Sequence, residues 1–323
     1  MTASDTTQID LLMIGPSPVP EMITDLDSRY RLHKWWEVAE ADRPAFLAEQ
    51  GQSIRGVVTS GVFGVRGELI ADLPKLEIIN SFGVGYDAID IDTAQRRKVR
   101  VTNTPEVLDE CVADTALALL LAVTRRVVEA DRFVRNGLWL QKRFGVGTKV
   151  SGKRVGIAGL GNIGRQIAQR AEAFGMRVAY SNRKPRTDAP AHYDYFASVA
   201  ELATHCDFLV LAVPGGAATK HLVNAEVLRN LGPEGYLINI ARGTVVDELA
   251  LIEALQTGAI AGAGLDVFEY EPKVPDALTT LSNVVLLPHV GSGTHETRQA
   301  MADLTIANID AWFKEGRTIT QVV

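Results

Sequence analysis

Residues Lys153–Arg183 read KRVGIAGLGNIGRQIAQRAEAFGMRVAYSNR. Arg154-Val155-Gly156-Ile157-Ala158 is a short apolar run containing β-branched residues, the pattern of a buried parallel strand. Gly159-Leu160-Gly161-Asn162-Ile163-Gly164 follows without a spacer. Arg165 to Phe174 then has helical periodicity, with Ile163, Ile167, Ala168, Ala171 and Phe174 on one side. Gly175 stops that helix, and Met176 to Tyr180 returns to strand. Strand, glycine turn, helix and strand in this order predict a dinucleotide-binding βαβ unit. In such a unit Gly159 makes the tight turn, Gly161 lets a pyrophosphate approach the backbone, and Gly164 lets the helix close on the strand. The helix N-terminus adds unpaired N–H groups and partial positive charge.

The end of the second strand bears on which dinucleotide. A site for NAD places a carboxylate there, about 20 residues after the glycines, to bind the ribose 2′-hydroxyl. This chain has Ser181-Asn182-Arg183-Lys184 instead. With no acid to repel it, a 2′-phosphate finds charge-assisted donors in Arg183 and Lys184, so NADP(H) is the expected cofactor. A solvated basic turn is the plainer reading of the same residues.

At 323 residues the chain exceeds one comfortable core, and two domains are expected. A net charge of −6 and a pI near 5.6 argue against a general nucleic-acid or membrane-surface role. The local basic cluster of Arg183, Lys184 and Arg186 suits one phosphate rather than a polymer. Cys111 and Cys206 lie in apolar segments without paired spacing, which predicts buried inert thiols and no metal site. MTASDTTQID lacks the basic-then-apolar pattern of a secretory signal, and the longest apolar stretch, Thr115 to Val123, is too short to span a bilayer. A cytoplasmic location is therefore expected.

Strands are also expected at Ile9 to Ile14, Ile54 to Thr59, Leu76 to Phe82, Val99 to Thr102, Phe208 to Val213, Tyr236 to Ile240, Gly262 to Val267 and Val284 to Leu287. Helices are expected at Arg43 to Gln50, Ile91 to Arg97, Asp247 to Thr257 and Thr294 to Phe313. Glu106 to Val128 is apolar nearly all round and reads as one long buried connecting helix. Asn136 to Lys153, with Trp139, reads as an arm. The whole is two α/β layers of similar plan, with a small-substrate cleft expected between them.

Three residues follow strand ends, where ligands collect in open α/β sheets. Arg242 follows LINIA, Glu271 follows LDVFEY, and His289 follows VVLLP. A planar guanidinium can clamp a carboxylate. An imidazole exchanges protons near neutral pH, and a carboxylate beside it raises its basicity. Taken singly, each also has a structural reading: a surface arginine, a packed histidine, a solvated glutamate before Pro272.

The strings GLGNIG, INIARGTVVDE, AGAGLDVFEYEP and LLPHVGSGT, in that order and spacing, resemble the D-2-hydroxyacid dehydrogenase family. The similarity extends over SFGVGYDAID and NTPEVLDECVADTALAL to nearly the whole chain. It is strongest to the NADPH-dependent glyoxylate/hydroxypyruvate and hydroxyphenylpyruvate reductase branch. The resemblance implies an α/β fold with a flavodoxin-like substrate domain at 1–105 plus 293–323 and a Rossmann NADP-binding domain at 106–292. It assigns Arg242 to the substrate carboxylate and carbonyl, His289 to acid–base work and Glu271 to support of His289. The backbone of Val84 and Gly85 takes the substrate carboxylate, consistent with an anion nest in a glycine turn. Val213, Pro214, Ile240, Ala241, Asp266 and Gly291 line the cofactor beside Gly159–Gly164 and Asn182–Lys184. The Trp139 region corresponds to an arm exchanged in homodimers. Ser60, Phe63 and residues near Trp139 are candidates for the substrate side-chain pocket.

The implied reaction is reduction of small 2-oxo acids (glyoxylate, hydroxypyruvate, aryl pyruvates) to D-2-hydroxy acids. No C-terminal regulatory extension is expected, because the chain stops soon after its last helix. Two alternatives stand beside this reading. One is an NAD-linked D-lactate-type dehydrogenase, against which the Arg183 segment speaks. The other is a non-catalytic dinucleotide sensor, since a fold of this kind does not by itself imply turnover.

Overall fold

The computed structural model describes residues 8–323, so the signal-peptide reading of MTASDTTQID falls largely outside the described residues. The chain divides into two units. One runs to Leu108 and resumes at Thr294–Val323, and the other is Asp109–Gly293.

The first unit holds β1 (Asp10–Met13), β2 (Arg31–Lys34), β3 (Ile54–Ser60), β4 (Ile78–Phe82) and β5 (Arg100–Thr102). They form one sheet in the order β2-β1-β3-β4-β5, all pairs parallel. This is the flavodoxin-like order. Its strands read as apolar runs because helices cover both faces. Leu12, Ile54, Val57 and Ile79 are fully buried, together with Ile70 and Leu73 from around the helix Gly67–Asp72. Each such side chain contributes about 1.5–3 kcal/mol of burial. Strand β2 was not expected, since RLHK is polar; pairing with β1, and the bond of His33 to buried Asp10 at 2.7 Å, define it rather than apolar burial.

The second unit holds β6 (Arg154–Ala158), β7 (Arg177–Ser181), β8 (Asp194–Phe196), β9 (Phe208–Leu211), β10 (Tyr236–Asn239), β11 (Gly262–Leu265) and β12 (Val284–Leu286). The sheet order is β12-β11-β10-β9-β6-β7-β8, again all parallel. This is the doubly wound Rossmann order with one further edge strand, and its direction reverses between β6 and β9. The short edge strand β8, DYF, was likewise missed. Strands β9, β10 and β11 stop one or two residues before their expected ends, so Val213, Ile240 and Val267 lie in the loops beyond them.

Two further expectations are corrected. The run Glu106 to Val128 is not one helix: Asp109–Thr124 ends, Arg126 takes a left-handed conformation (φ 55°), and a second helix spans Val127–Arg135. The Thr124 carbonyl is taken by the N–H of Thr148 at 2.8 Å, which closes the first helix. That helix packs on β10, β11 and β12 and on Asn162–Ala173, which accounts for its apolar surface. Gly264 permits the close approach, since a Cβ there would sit 2.9 Å from Leu119 Cβ. Phe174, placed by periodicity on the apolar side of its helix, is exposed, because it is the C-cap where the helix is already turning away. Of the cysteines, Cys206 is buried and its thiol is pushed up to about 12 by burial, whereas Cys111 is only half-buried.

Candidate active site

The glycine turn behaves as its spacing predicts. Gly159 has φ 98°, a conformation costly for any other residue, and its N–H donates to Ser181 of β7 at 2.9 Å. A Cβ on Gly164 would overlap the Gly159 carbonyl oxygen, so the helix Asn162–Ala173 can close on the strand only with glycine there. A Cβ on Gly161 would meet nothing within 4 Å. The space outside Gly161 is open to a ligand. Among the described residues other helices are capped by a side chain, from Asp90, Ser198, Asn224, Asp247 and Thr294. The helix after the glycine turn has no such cap. Its first N–H groups suit a phosphate, and the turn fits a dinucleotide pyrophosphate.

Around this turn stand the other expected cofactor residues. Val213 abuts it, with Cγ1 at 3.0 Å from where a Gly159 Cβ would lie, and exposed Pro214 follows. Asn182 is tied into the turn rather than left open: its Oδ1 accepts the Leu160 N–H at 2.8 Å. Arg183 and Lys184 are exposed, and among the described residues their side chains make no hydrogen bond or ion pair. Arg186 is not part of a free basic cluster, because it binds Asp188 with two donors at 2.7 Å each.

Arg242, Glu271 and His289 all belong to the second unit, each just past β10, β11 or β12. Glu271 Oε2 and His289 Nδ1 are 2.7 Å apart, and Glu271 Oε1 accepts the Phe268 N–H at 3.1 Å. Burial alone would push the Glu271 carboxyl up. The hydrogen bond and charge of His289, the Phe268 N–H and the Arg242 guanidinium outweigh it, and the group is held below the ordinary carboxylate range. An ionised carboxylate can only accept, so Nδ1 of His289 carries a proton and Nε2 is the nitrogen left for exchange. Arg242 is near enough to act electrostatically on Glu271, and its Nη1 donates to Ala241 O at 2.8 Å.

The supports of this group were not foreseen. His289 has φ 55°, rare for a residue with a side chain, and its N–H donates to Asp266 O at 2.8 Å. The Asp266 carboxylate accepts the next two amides, Val290 at 2.7 Å and Gly291 at 2.8 Å. Burial holds this carboxyl above its ordinary value although both amides pull it down. Asp266 thus braces the loop that carries His289. Asn239 does the same for Arg242. It is buried at the end of β10, accepts the Ala241 N–H at 3.0 Å and donates to Arg242 O at 2.9 Å. A buried amide closing the apolar run LIN was the available signal. Ile240 and Ala241 are themselves buried.

In the first unit, the turn after β4 has its carbonyls consumed. Gly83 O accepts Thr104 N at 3.0 Å, Val84 O accepts Asn103 Nδ2 at 2.8 Å, and Gly85 O accepts Ser81 Oγ at 2.8 Å. Among the described residues the N–H groups of Val84 and Gly85 have no acceptor. Two consecutive free amides are what an anion nest requires. Phe63 is exposed over Gly15, where a Cβ would overlap its ring, and Ser60 ends β3. Trp139 lies in a single turn, Leu138–Leu140, and is exposed. Among the described residues no group of His, Cys, Asp and Glu has the arrangement of a metal site, and no helix is long and apolar enough to cross a membrane.

Residues 117–291 match the family model for the D-isomer specific 2-hydroxyacid dehydrogenase, NAD binding domain. The chain is 52% identical to a hydroxyphenylpyruvate reductase of Plectranthus scutellarioides, over 98% of this chain and 99% of that protein. It is 49% identical to a glyoxylate/hydroxypyruvate reductase A of Arabidopsis thaliana, with the same coverage of each. Among solved structures, an NADPH-dependent glyoxylate/hydroxypyruvate reductase from Sinorhizobium meliloti, in complex with NADP and malonate, superimposes with a TM-score of 0.91 at 42% identity, covering 98% of this chain and 97% of that one. With a doubly wound sheet, an intact glycine turn and these similarities along its length, this chain belongs to the D-isomer specific 2-hydroxyacid dehydrogenase family.

Proposed function

We propose that this protein is an NADPH-dependent reductase of small 2-oxo acids, forming D-2-hydroxy acids. The observation that carries the reading is the 2.7 Å Glu271–His289 pair, with Arg242 in the same electrostatic neighbourhood, in a unit whose glycine turn fits a dinucleotide. The unit Asp109–Gly293 is the cofactor domain, and the unit that includes Val84 and Gly85 is the substrate domain. Gly159–Gly164 hold the pyrophosphate, Arg183 and Lys184 the 2′-phosphate, and the loops at Val213-Pro214, Ile240-Ala241, Asp266 and Gly291 border the remainder. The reduced nicotinamide bound there supplies the hydride.

The chain's own groups manage charge and protons. The Val84 and Gly85 amides suit the substrate carboxylate, and Arg242 supplies positive charge beside the acid–base pair. His289 in its protonated form donates from Nε2 to the carbonyl oxygen as negative charge develops there. Glu271, already ionised, stabilises the imidazolium and fixes its ring. Arg242 and the imidazolium act as preorganised positive charge, which needs no rearrangement as the reaction proceeds. The substrates are glyoxylate, hydroxypyruvate and aryl pyruvates, which share the carboxylate and carbonyl these residues read. The protein acts in the cytoplasm as a homodimer. Its exposed apolar side chains Val134, Trp139, Leu140 and Val146 support an arm that a second copy covers.

Initial rates with NADPH and NADH against the three substrates test the assignment. NADPH-linked turnover of at least one is expected. Activity with NADH alone would leave the acid–base group standing and overturn the cofactor, and no turnover despite cofactor binding would favour a sensor. Replacing His289 with alanine should lower kcat roughly 10²–10⁴-fold while NADPH binding is nearly unchanged. Equal turnover in that variant would refute its role.

A further inference from the structure

The segment after β7 contains a carboxylate that the reading of Asn182–Lys184 did not use. Asp188 lies beyond the position where an NAD site carries its acid, yet the loop returns it to the glycine helix. Its Oδ1 accepts Arg186 Nε at 2.7 Å, and its Oδ2 accepts Arg186 Nη2 and Arg165 Nη1, each at 2.7 Å. Arg165 stands in the first turn of the helix Asn162–Ala173, where its Nη2 also donates to Asn162 Oδ1 at 2.9 Å. The loop is thus tied to the glycine unit twice, by Asn182 on the Leu160 N–H and by Asp188 on Arg165. Further along, His192 and Tyr193 hold Glu172, near the far end of the same helix, at 2.6 and 2.8 Å. Between the first two ties lie Arg183 and Lys184, the cations of the loop that make no ion pair among the described residues.

We infer that Asp188 is a specificity-determining residue: it closes a strap across the start of the glycine helix and so presents Arg183 and Lys184 to the ribose 2′-phosphate. Three points favour a strap over a competing anion. Arg186 is engaged in a two-donor pair whose planar geometry fixes the loop backbone, and its N–H is also held by Tyr180 Oη at 3.1 Å. Arg165 is committed at both of its terminal nitrogens. The Asp188 carboxylate, pulled down to about 2 chiefly by its bond to Arg186, stays ionised throughout the working range, so the tie does not open with pH. Neutralised by two guanidiniums, Asp188 does not repel a phosphate as the lone acid of an NAD site does.

This inference rests on the NADP(H) reading, and direct binding separates the two. The probes are 2′,5′-ADP and 5′-AMP, which differ by the phosphate at issue, titrated calorimetrically into the intact protein. The wild type should bind 2′,5′-ADP more tightly, and Arg183→Ala should remove about tenfold of that preference. Asp188→Ala should weaken 2′,5′-ADP roughly three- to five-fold, the size an exposed ion-pair network supports, and leave 5′-AMP unchanged. Arg186→Gln, which breaks the same tie from the other side, should act in the same direction, and Asp188→Glu should restore part of the loss. Tighter 2′,5′-ADP binding by Asp188→Ala would mean that the freed arginines are themselves phosphate ligands, and would overturn the strap. Unchanged binding, or a parallel loss of 5′-AMP, would overturn it as well. A wild type that does not discriminate the two probes would sink the cofactor reading, and the strap with it.

Discussion

The turn after β6 and the turn after β4 both present backbone N–H groups at the end of a parallel strand, but different forces shape them. After β6 the shape is steric and local. Gly159 adopts a conformation other residues resist, Gly164 is pressed against the Gly159 carbonyl, and the helix that follows has no side-chain cap. After β4 the shape is imposed from outside. Ser81, Asn103 and Thr104 take the three carbonyls of Gly83, Val84 and Gly85, which turns the amides to the other side. The first cradle is built by what its residues lack, the second by what residues outside the turn supply. A cradle of the first kind should fail all at once when a methyl group is added, and one of the second kind should weaken by steps.

The largest effect is expected at Gly164. Alanine there has no room, because the obstructing atom is backbone rather than a movable side chain. Loss of about 1–3 kcal/mol of stability should accompany loss of NADPH binding, seen together in thermal melts with and without cofactor. Retained binding at wild-type stability would show that the turn yields more readily than its geometry indicates. Gly161 sharpens the contrast. A Cβ there meets only open space, so Gly161→Ala should melt as the wild type does and yet bind NADPH about tenfold or more weakly. If both substitutions lowered stability alike, the distinction between a steric and a ligand-facing glycine would not hold.

The same contrast explains what could be read before any coordinates. A steric cradle leaves its mark in consecutive letters, and GLGNIG between an apolar run and an amphipathic helix was sufficient to place β6, its helix and β7. Arg242, Glu271 and His289 were placeable as strand-end residues, but only the resemblance joined them into one group, since 18 residues separate the two that touch. The partners that Asn239, Asp266 and Asp188 brace were opaque for a physical reason. Asparagine and aspartate serve turns, caps and surfaces equally well, and only the fold shows which amides and guanidiniums reach them. Polarity hid the edge strand β2, and its three-residue length hid β8, because an edge needs little burial to pair. The break at Arg126 was hidden for the opposite reason: apolar residues on both sides of it suggested a continuous helix, while the Thr148 N–H that closes the first part comes from 24 residues away.

The braced turn offers the smallest and most discriminating test. Ser81 is fully buried and spends its hydroxyl on Gly85 O, while Thr104 and Asn103 hold the neighbouring carbonyls independently. Ser81→Ala removes one oxygen, opens almost no cavity and leaves two braces in place. One neutral hydrogen bond contributes about 0.5–1.5 kcal/mol, and only the part that orients the Gly85 peptide reaches the ligand. The KM for the 2-oxo acid should therefore rise roughly two- to five-fold, with kcat and NADPH affinity close to wild type. Asn103→Ala, which frees the adjacent carbonyl, should add a further step of similar size in the double variant. A loss of substrate binding as complete as that expected of NADPH at Gly164 would mean that the second cradle is as indivisible as the first. In that case the two side-chain braces and the Thr104 N–H act as one cooperative unit rather than three separable supports.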